Sequence, residues 1–147
     1  MALFPPSTND GYAGAPASAW FLMFAAVLEF VPGCIHFFLP DGGAGVIAGL
    51  DLSDNRQMTI ALFAWVGAVQ IPMAAMLFII ALSYRTLVPL GLLILIVERG
   101  LMTVDGWFLK GAASGHHPPE HYASPVAVAL ALVFLVLSLR GRAARAG

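Results

Sequence analysis

The chain has 147 residues, of which 60% are hydrophobic and 10% charged, and its formal net charge is −1. A soluble domain carries about 25% charged residues, so the composition excludes an ordinary water-facing globule and favours a bundle whose outside meets lipid. The charge balance gives no basic surface for nucleic acid, and a lone cysteine, Cys34, excludes a disulfide within the chain.

Residues 1–16 are rich in Pro, Gly, Ser and Ala and read as a flexible or surface-bound arm. Four apolar stretches follow, each near the roughly 20 residues that a bilayer crossing needs. They cover about 17–39, 58–84, 87–109 and 125–139. The first reads as a span and not as a cleaved signal, because no Lys or Arg precedes it and its apolar run is long. Between the first two spans lies the longest connection, Pro40-Asp41-Gly42-Gly43-Ala44-Gly45 onward, with one short helical turn expected over Val46 to Leu50. Asp54 is the expected N-cap of the second span, with Gln57 completing a capping box. The very short link around Arg85 predicts that the second and third helices are antiparallel neighbours. A polar loop over 110–124 precedes the fourth span, for which Ser124-Pro125 reads as the start. The expected fold is therefore all-α, a single membrane domain over 1–147 forming an integral four-helix bundle. Four spans put both termini on one side with Arg85, Arg140, Arg142 and Arg145. Arg56, Lys110 and several acids lie on the other. That bias places both termini in the cytoplasm. Trp20, Tyr84, Trp107 and Tyr122 fall near span ends, as interfacial aromatics do.

The ionisable residues inside these spans carry the functional expectation. A charge at mid-depth costs roughly 2.5 to 3.5 kcal/mol on insertion, so it faces protein or water and takes a partner. Counting along the helices puts Glu29, Gln70, Glu98 and Arg99 roughly 15 to 18 Å from their starting interface, near the midplane of the hydrocarbon core. His36 and Asp105 follow Glu29 and Glu98 by almost two turns and share their faces, forming a second layer nearer the outer interface. Two readings compete. In one, Arg99 neutralises Glu29 or Glu98 inside a purely structural ion pair. In the other, Glu29, His36, Gln70, Arg99 and Asp105 line a ligand site, and Glu29 and Glu98 are candidate catalytic carboxylates for acid–base chemistry. Pro32-Gly33, Pro72 and Gly100 interrupt the helices around this level, and such breaks make room for a cavity. The expected cavity is apolar, lies between the first three helices and opens outward. Glu29 sits at its inner end, with His36 and Asp105 near its mouth.

The loop His116-His117-Pro118-Pro119-Glu120-His121 offers His116, His117 and His121 as candidate metal ligands, against the plainer reading of solvated, pH-sensitive histidines. Gly42, Gly43, Gly45 and Gly49 suggest a phosphate cradle only superficially. No strand precedes them, no Gly-Lys-Ser/Thr follows, and a surface turn is the better reading. Nothing in the sequence fixes a cofactor.

The segments HFFLPDGGAGVIAGLDL (His36 to Leu52), ALFAWVGAVQ (Ala61 to Gln70), YRTLVP (Tyr84 to Pro89) and Glu98-Arg99-Gly100 resemble small bacterial membrane proteins of the DoxX-like kind. The resemblance covers most of the helical part, but not the arm or the histidine loop. It implies a four-helix protein of the bacterial cytoplasmic membrane. Because some such proteins accompany quinone-linked respiratory enzymes, it also implies an auxiliary-subunit role; it carries no catalytic residues over. The expected function is binding of a lipophilic molecule, a quinone among the possibilities, or of a membrane partner, as an accessory subunit or homo-oligomer among membrane lipid. The alternatives are an intramembrane enzyme acting on an isoprenoid, sterol-like or quinone substrate, and a proton-coupled transporter.

Overall fold

The computed structural model describes residues 3–110 and 115–143, with side chains described up to residue 140. It is all-helical: α1 (Pro16–Phe38), α2 (Arg56–Ser83), α3 (Val88–Val104) and α4 (Pro119–Ala143). A 3-10 turn, Arg85–Leu87, leads into α3, and a π-turn, Asp105–Leu109, prolongs it. All four helical stretches are long and apolar enough to cross a membrane. Their outward faces carry exposed Phe24, Trp65, Val69, Leu93, Leu101 and Val133, as a lipid-facing surface would. Of the arginines weighed for sidedness, the side chains of Arg142 and Arg145 lie outside the described residues.

The fourth helix begins at Pro119, six residues before the expected start, and Pro125 lies inside it. Pro119 occupies the first helical position, where its missing N–H costs nothing. Pro125 removes the amide that would have bonded the carbonyl of His121. Trp107 replaces it, its indole Nε1–H donating to that carbonyl at 2.7 Å.

The helices associate as two pairs, α1 along α2 and α3 along α4, with α1 also touching α3 and α4. Contrary to the expectation from the short link, α2 and α3 share little surface. The link brings only their linked ends together; the small residues decide the rest. A Cβ on Gly67 would lie 2.5 Å from the carbonyl oxygen of Gly33 and 2.8 Å from the backbone nitrogen of Phe37. Backbone therefore meets backbone where α1 crosses α2, the close approach that small residues permit in membrane helices.

The packed core occupies the half of the bundle nearer the chain termini. It joins Leu22 and Ala26 of α1, Leu77 and Ile80 of α2, and Val88 and Leu92 of α3, with Phe134 of α4 against it. Residues 3–15 close that end. Thr8 N–H and Ser7 Oγ–H donate to the Ser83 carbonyl at 2.9 Å, and Asn9 Nδ2 donates to the Leu82 carbonyl at 2.6 Å. These are α2's last carbonyls, which would otherwise lack partners. The arm is thus fastened to the bundle, the second of the two states expected of it.

At the opposite end, turns over residues 40–48 replace the expected helical turn at Val46 to Leu50. Asp41 organises them, accepting the N–H groups of Gly43 (2.9 Å), Gly45 (3.2 Å) and Val46 (3.0 Å). These bonds hold its carboxyl below the ordinary value of 3.8, with the Val46 N–H first and the Gly43 N–H next. Gly43, at φ +75°, takes the left-handed conformation that this turn needs. Asn55, not Asp54, precedes α2, also left-handed at φ 57° and without a side-chain cap bond. Asparagine tolerates that conformation better than most residues, which delays the helix start by one position.

Candidate functional site

The half of the bundle near residues 40–48 is less tightly filled, and the polar residues gather there. Arg99 of α3 is buried between two carboxylates. Its Nη2 pairs with Glu29 of α1 and its Nη1 with Glu120 of α4. The three residues come from three helices and tie α1 to the α3–α4 pair. The Glu29 side chain has no exposed surface, whereas that of Glu120 is 37% exposed. Arg99 thus has one sealed partner and one accessible partner.

Glu29 is one of the two partners expected for Arg99. The other expected carboxylate, Glu98, makes no ion pair with it. One residue along the helix turns its side chain by about 100°, and its Oε2 is buried with no hydrogen-bond partner. Glu120 takes the place assigned to Glu98. Sequence reasoning placed Glu120 in the outer loop, because it started the fourth span at Ser124-Pro125. An acidic residue just after a proline is equally the signature of a first helical turn, and that signal would have found it. Gln70 is buried beside Gly33, and its Oε1 has no hydrogen-bond partner.

Two cavities flank the ion triad. One, of about 420 Å³, is lined by His36, Phe63, Asp105, Glu120 and Ser124, among others. The second, of about 620 Å³, is a groove with Phe21, Phe24, Leu28, Leu95, Val126 and Leu130 on its walls, and Arg99 and Glu120 at its polar end. Pro32, Pro119 and Glu120 belong to both. The expected cavity between the first three helices is corrected in two respects. It takes a wall from α4, and Glu29, paired with Arg99, lines neither space. His36 and Asp105 do line the smaller cavity together, as their shared faces predict.

His36 donates its Nδ1–H to the Gly42 carbonyl at 2.7 Å, which leaves Nε2 for a second bond. Its ring meets Phe63 edge-on, with centroids 5.0 Å apart. Asp105 pairs with Lys110 at 3.1 Å. Ser124 is wholly buried, lines the smaller cavity, and its Oγ has no hydrogen-bond partner. Sequence reasoning used Ser124 only as a helix cap and missed it as a wall residue.

The histidine loop divides into two parts. His116 Nε2 donates to the Ala48 carbonyl at 2.9 Å, fastening the segment before α4 to the turns after α1. His117 and His121 share a hydrogen bond between their Nδ1 atoms at 2.9 Å, and Trp107 stacks on His117 with centroids 4.3 Å apart. Among the described residues, no three His, Cys, Asp or Glu side chains converge as a metal site would require.

Comparison with protein-family models, with curated proteins and with solved structures finds no match to this chain.

Proposed function

We propose that this chain is a small integral membrane protein that binds a lipophilic molecule with one polar end. The observation that carries the reading is the placement of Arg99. A sealed carboxylate, Glu29, fixes it, and its second carboxylate, Glu120, stands where two largely apolar cavities meet. Apolar walls with a few convergent polar groups are the usual form of a small-molecule site. A tail would lie in the groove along Phe24, Leu28, Val126 and Leu130, and a polar end would reach Glu120.

The test is purification into lipid nanodiscs, with retained small molecules identified by mass spectrometry. The wild type retains a defined compound at near-stoichiometric amount. Ala127→Phe fills the groove without touching the triad and loses it. If no compound is retained and Ala127→Phe changes nothing, the reading fails.

Acid–base chemistry on the bound molecule is a second reading, supported by Glu120, His36 and Ser124 lining one cavity. In that case Glu120, not Glu29 or Glu98, faces the substrate, and Glu120→Gln retains a chemically different compound from the wild type.

For orientation, we propose both termini in the cytoplasm of a bacterial inner membrane, on the balance of Arg85, Arg140, Arg142 and Arg145 in the sequence against Arg56 and Lys110. In a Cys34→Ala background, a cysteine at residue 117 is labelled from outside intact cells and one at residue 3 is not. The reverse pattern overturns the assignment.

A further inference from the structure

The charged groups around the cavities do not balance. On the walls, α1 contributes His36, α3 contributes Arg99 and Asp105, and α4 contributes Glu120 and His121, while Glu29, paired with Arg99, and Glu98 line neither space. From α2 comes only Arg56, at its exposed first residue, and it makes no ion pair among the described residues. Asp41 is committed to the amides of its own turn, His116 is bonded to the Ala48 carbonyl, and His117 is bonded to His121. Lys110 answers Asp105, and Arg99 stands between Glu29 and Glu120. Two carboxylates on one guanidinium leave one negative charge in excess, in surroundings where an uncompensated charge is costly.

The neutral polar groups point the same way. In the smaller cavity Ser124 Oγ, fully buried, has no partner, and His36, with Nδ1 bonded to the Gly42 carbonyl, keeps Nε2 for a second bond. With Glu120 they make three positions on one wall system that can accept a hydrogen bond. Both Arg99 nitrogens that face acids are already taken, so an anionic head would meet Glu120 and gain no cation. A head that carries positive charge and donates several hydrogen bonds meets all three acceptors and cancels the excess charge. Phe21, Phe24 and Tyr122 along the adjoining groove suit an apolar or aromatic body and the flank of a cation.

We infer that the smaller cavity binds the head of a lipophilic ammonium, held by Glu120, Ser124 and His36, with its apolar body in the adjoining groove. This rests on the lipophilic-ligand reading above and names its chemical class. Binding is an exchange. In the empty site a proton balances the excess charge, and it leaves to water as the ammonium enters, so one positive charge replaces another.

The experiment titrates wild-type protein, in nanodiscs of zwitterionic lipid, with three probes of one shape: 1-naphthylmethylammonium, 1-naphthylmethanol and 1-naphthoate. Calorimetry in two buffers of different ionisation heat counts protons. The ammonium is expected to bind at least tenfold tighter than the alcohol, to release a proton, and to bind more tightly as pH rises. Glu120→Gln should weaken the ammonium tenfold or more and leave the alcohol unchanged. Ser124→Ala, which removes one hydroxyl from a cavity wall, should weaken the ammonium several-fold; with the wild-type proton count it decides the matter if Glu120→Gln does not fold. Equal binding of ammonium and alcohol, preference for naphthoate, or absence of ammonium binding overturns the inference. The lipophilic-ligand reading then stands or falls separately, on the compound retained in the native protein.

Discussion

Arg99→Leu is expected to be among the most damaging single substitutions in the bundle, and its cost is asymmetric between the two arms of the triad. Removing the guanidinium leaves Glu29, which has no exposed surface, as a buried carboxylate without a cation. Breaking a buried pair in this way costs about 3 to 5 kcal/mol. Glu120→Gln breaks the other arm, but that side chain is 37% exposed and Arg99 keeps Glu29. Such a loss is worth about 0 to 1 kcal/mol. Glu98→Gln removes no ion pair and should also fall below Arg99→Leu. The double variant Arg99→Leu/Glu29→Leu removes both charges together and should regain most of the loss, since a buried pair replaced by apolar groups is often neutral. The assay is equilibrium unfolding in mixed micelles with a rising fraction of sodium dodecyl sulfate, followed by circular dichroism. If Arg99→Leu costs no more than Glu120→Gln, or if the double variant is no better than Arg99→Leu alone, Glu29–Arg99 is not the buried, energetically dominant arm.

Three more outcomes are expected. Gly67→Ala places a methyl against backbone atoms of α1, which cannot turn aside as a side chain can; in the same unfolding assay it should cost about 1 to 3 kcal/mol, toward the upper end. Trp107→Phe leaves the His121 carbonyl without its donor and should cost about 1 kcal/mol. In a Pro125→Ala background, where the helix supplies its own amide, that cost should shrink, and equal costs in both backgrounds would refute the substitution of one donor for the other. The Asp41 carboxyl is held below 3.8 in the folded turn, so its ionised form supports the turn above the ordinary carboxylate range, and that support is lost as pH falls through the depressed value. Hydrogen exchange at Gly43, Gly45 and Val46 should therefore accelerate only in strong acid, while Asp41→Ala should accelerate it already at neutral pH.

The spans were legible because apolar length is a property of the sequence alone, and three of the four match the helices within a few residues at each end. Arg99 and Glu29 were legible for a related reason: depth can be counted, and a mid-depth guanidinium requires an acid. Glu120 was not, because the start of the fourth span was read at Ser124-Pro125, which leaves Glu120 in the loop, whereas α4 begins at Pro119. A proline inside a helix is tolerated when another group satisfies the orphaned carbonyl, and Trp107, eighteen residues before Pro125, was not visible as that group. The pairing of helices was also hidden. Chain connection favoured α2 with α3, but Gly33 and Gly67 let α1 and α2 approach more closely than connection could dictate. The proline and glycine breaks pointed to open space at this level, but its α4 wall and the exclusion of Glu29 from it depended on where α4 starts.

The two-pair arrangement also bears on biogenesis. For a chain inserted as proposed here, α1 and α2 emerge from the ribosome first and can enter the bilayer as one hairpin. That hairpin carries Glu29 with no cation at its depth, at roughly 2.5 to 3.5 kcal/mol. The second hairpin brings Arg99 and Glu120 together, already matched. The first hairpin is therefore the needy one, and only docking of the second relieves it. Because Glu29 sits on the face that α3 and α4 must cover, an orphaned first hairpin would expose a polar spot to lipid. Quality-control proteases that survey the bilayer would have a physical mark by which to tell a half-made molecule from a finished one.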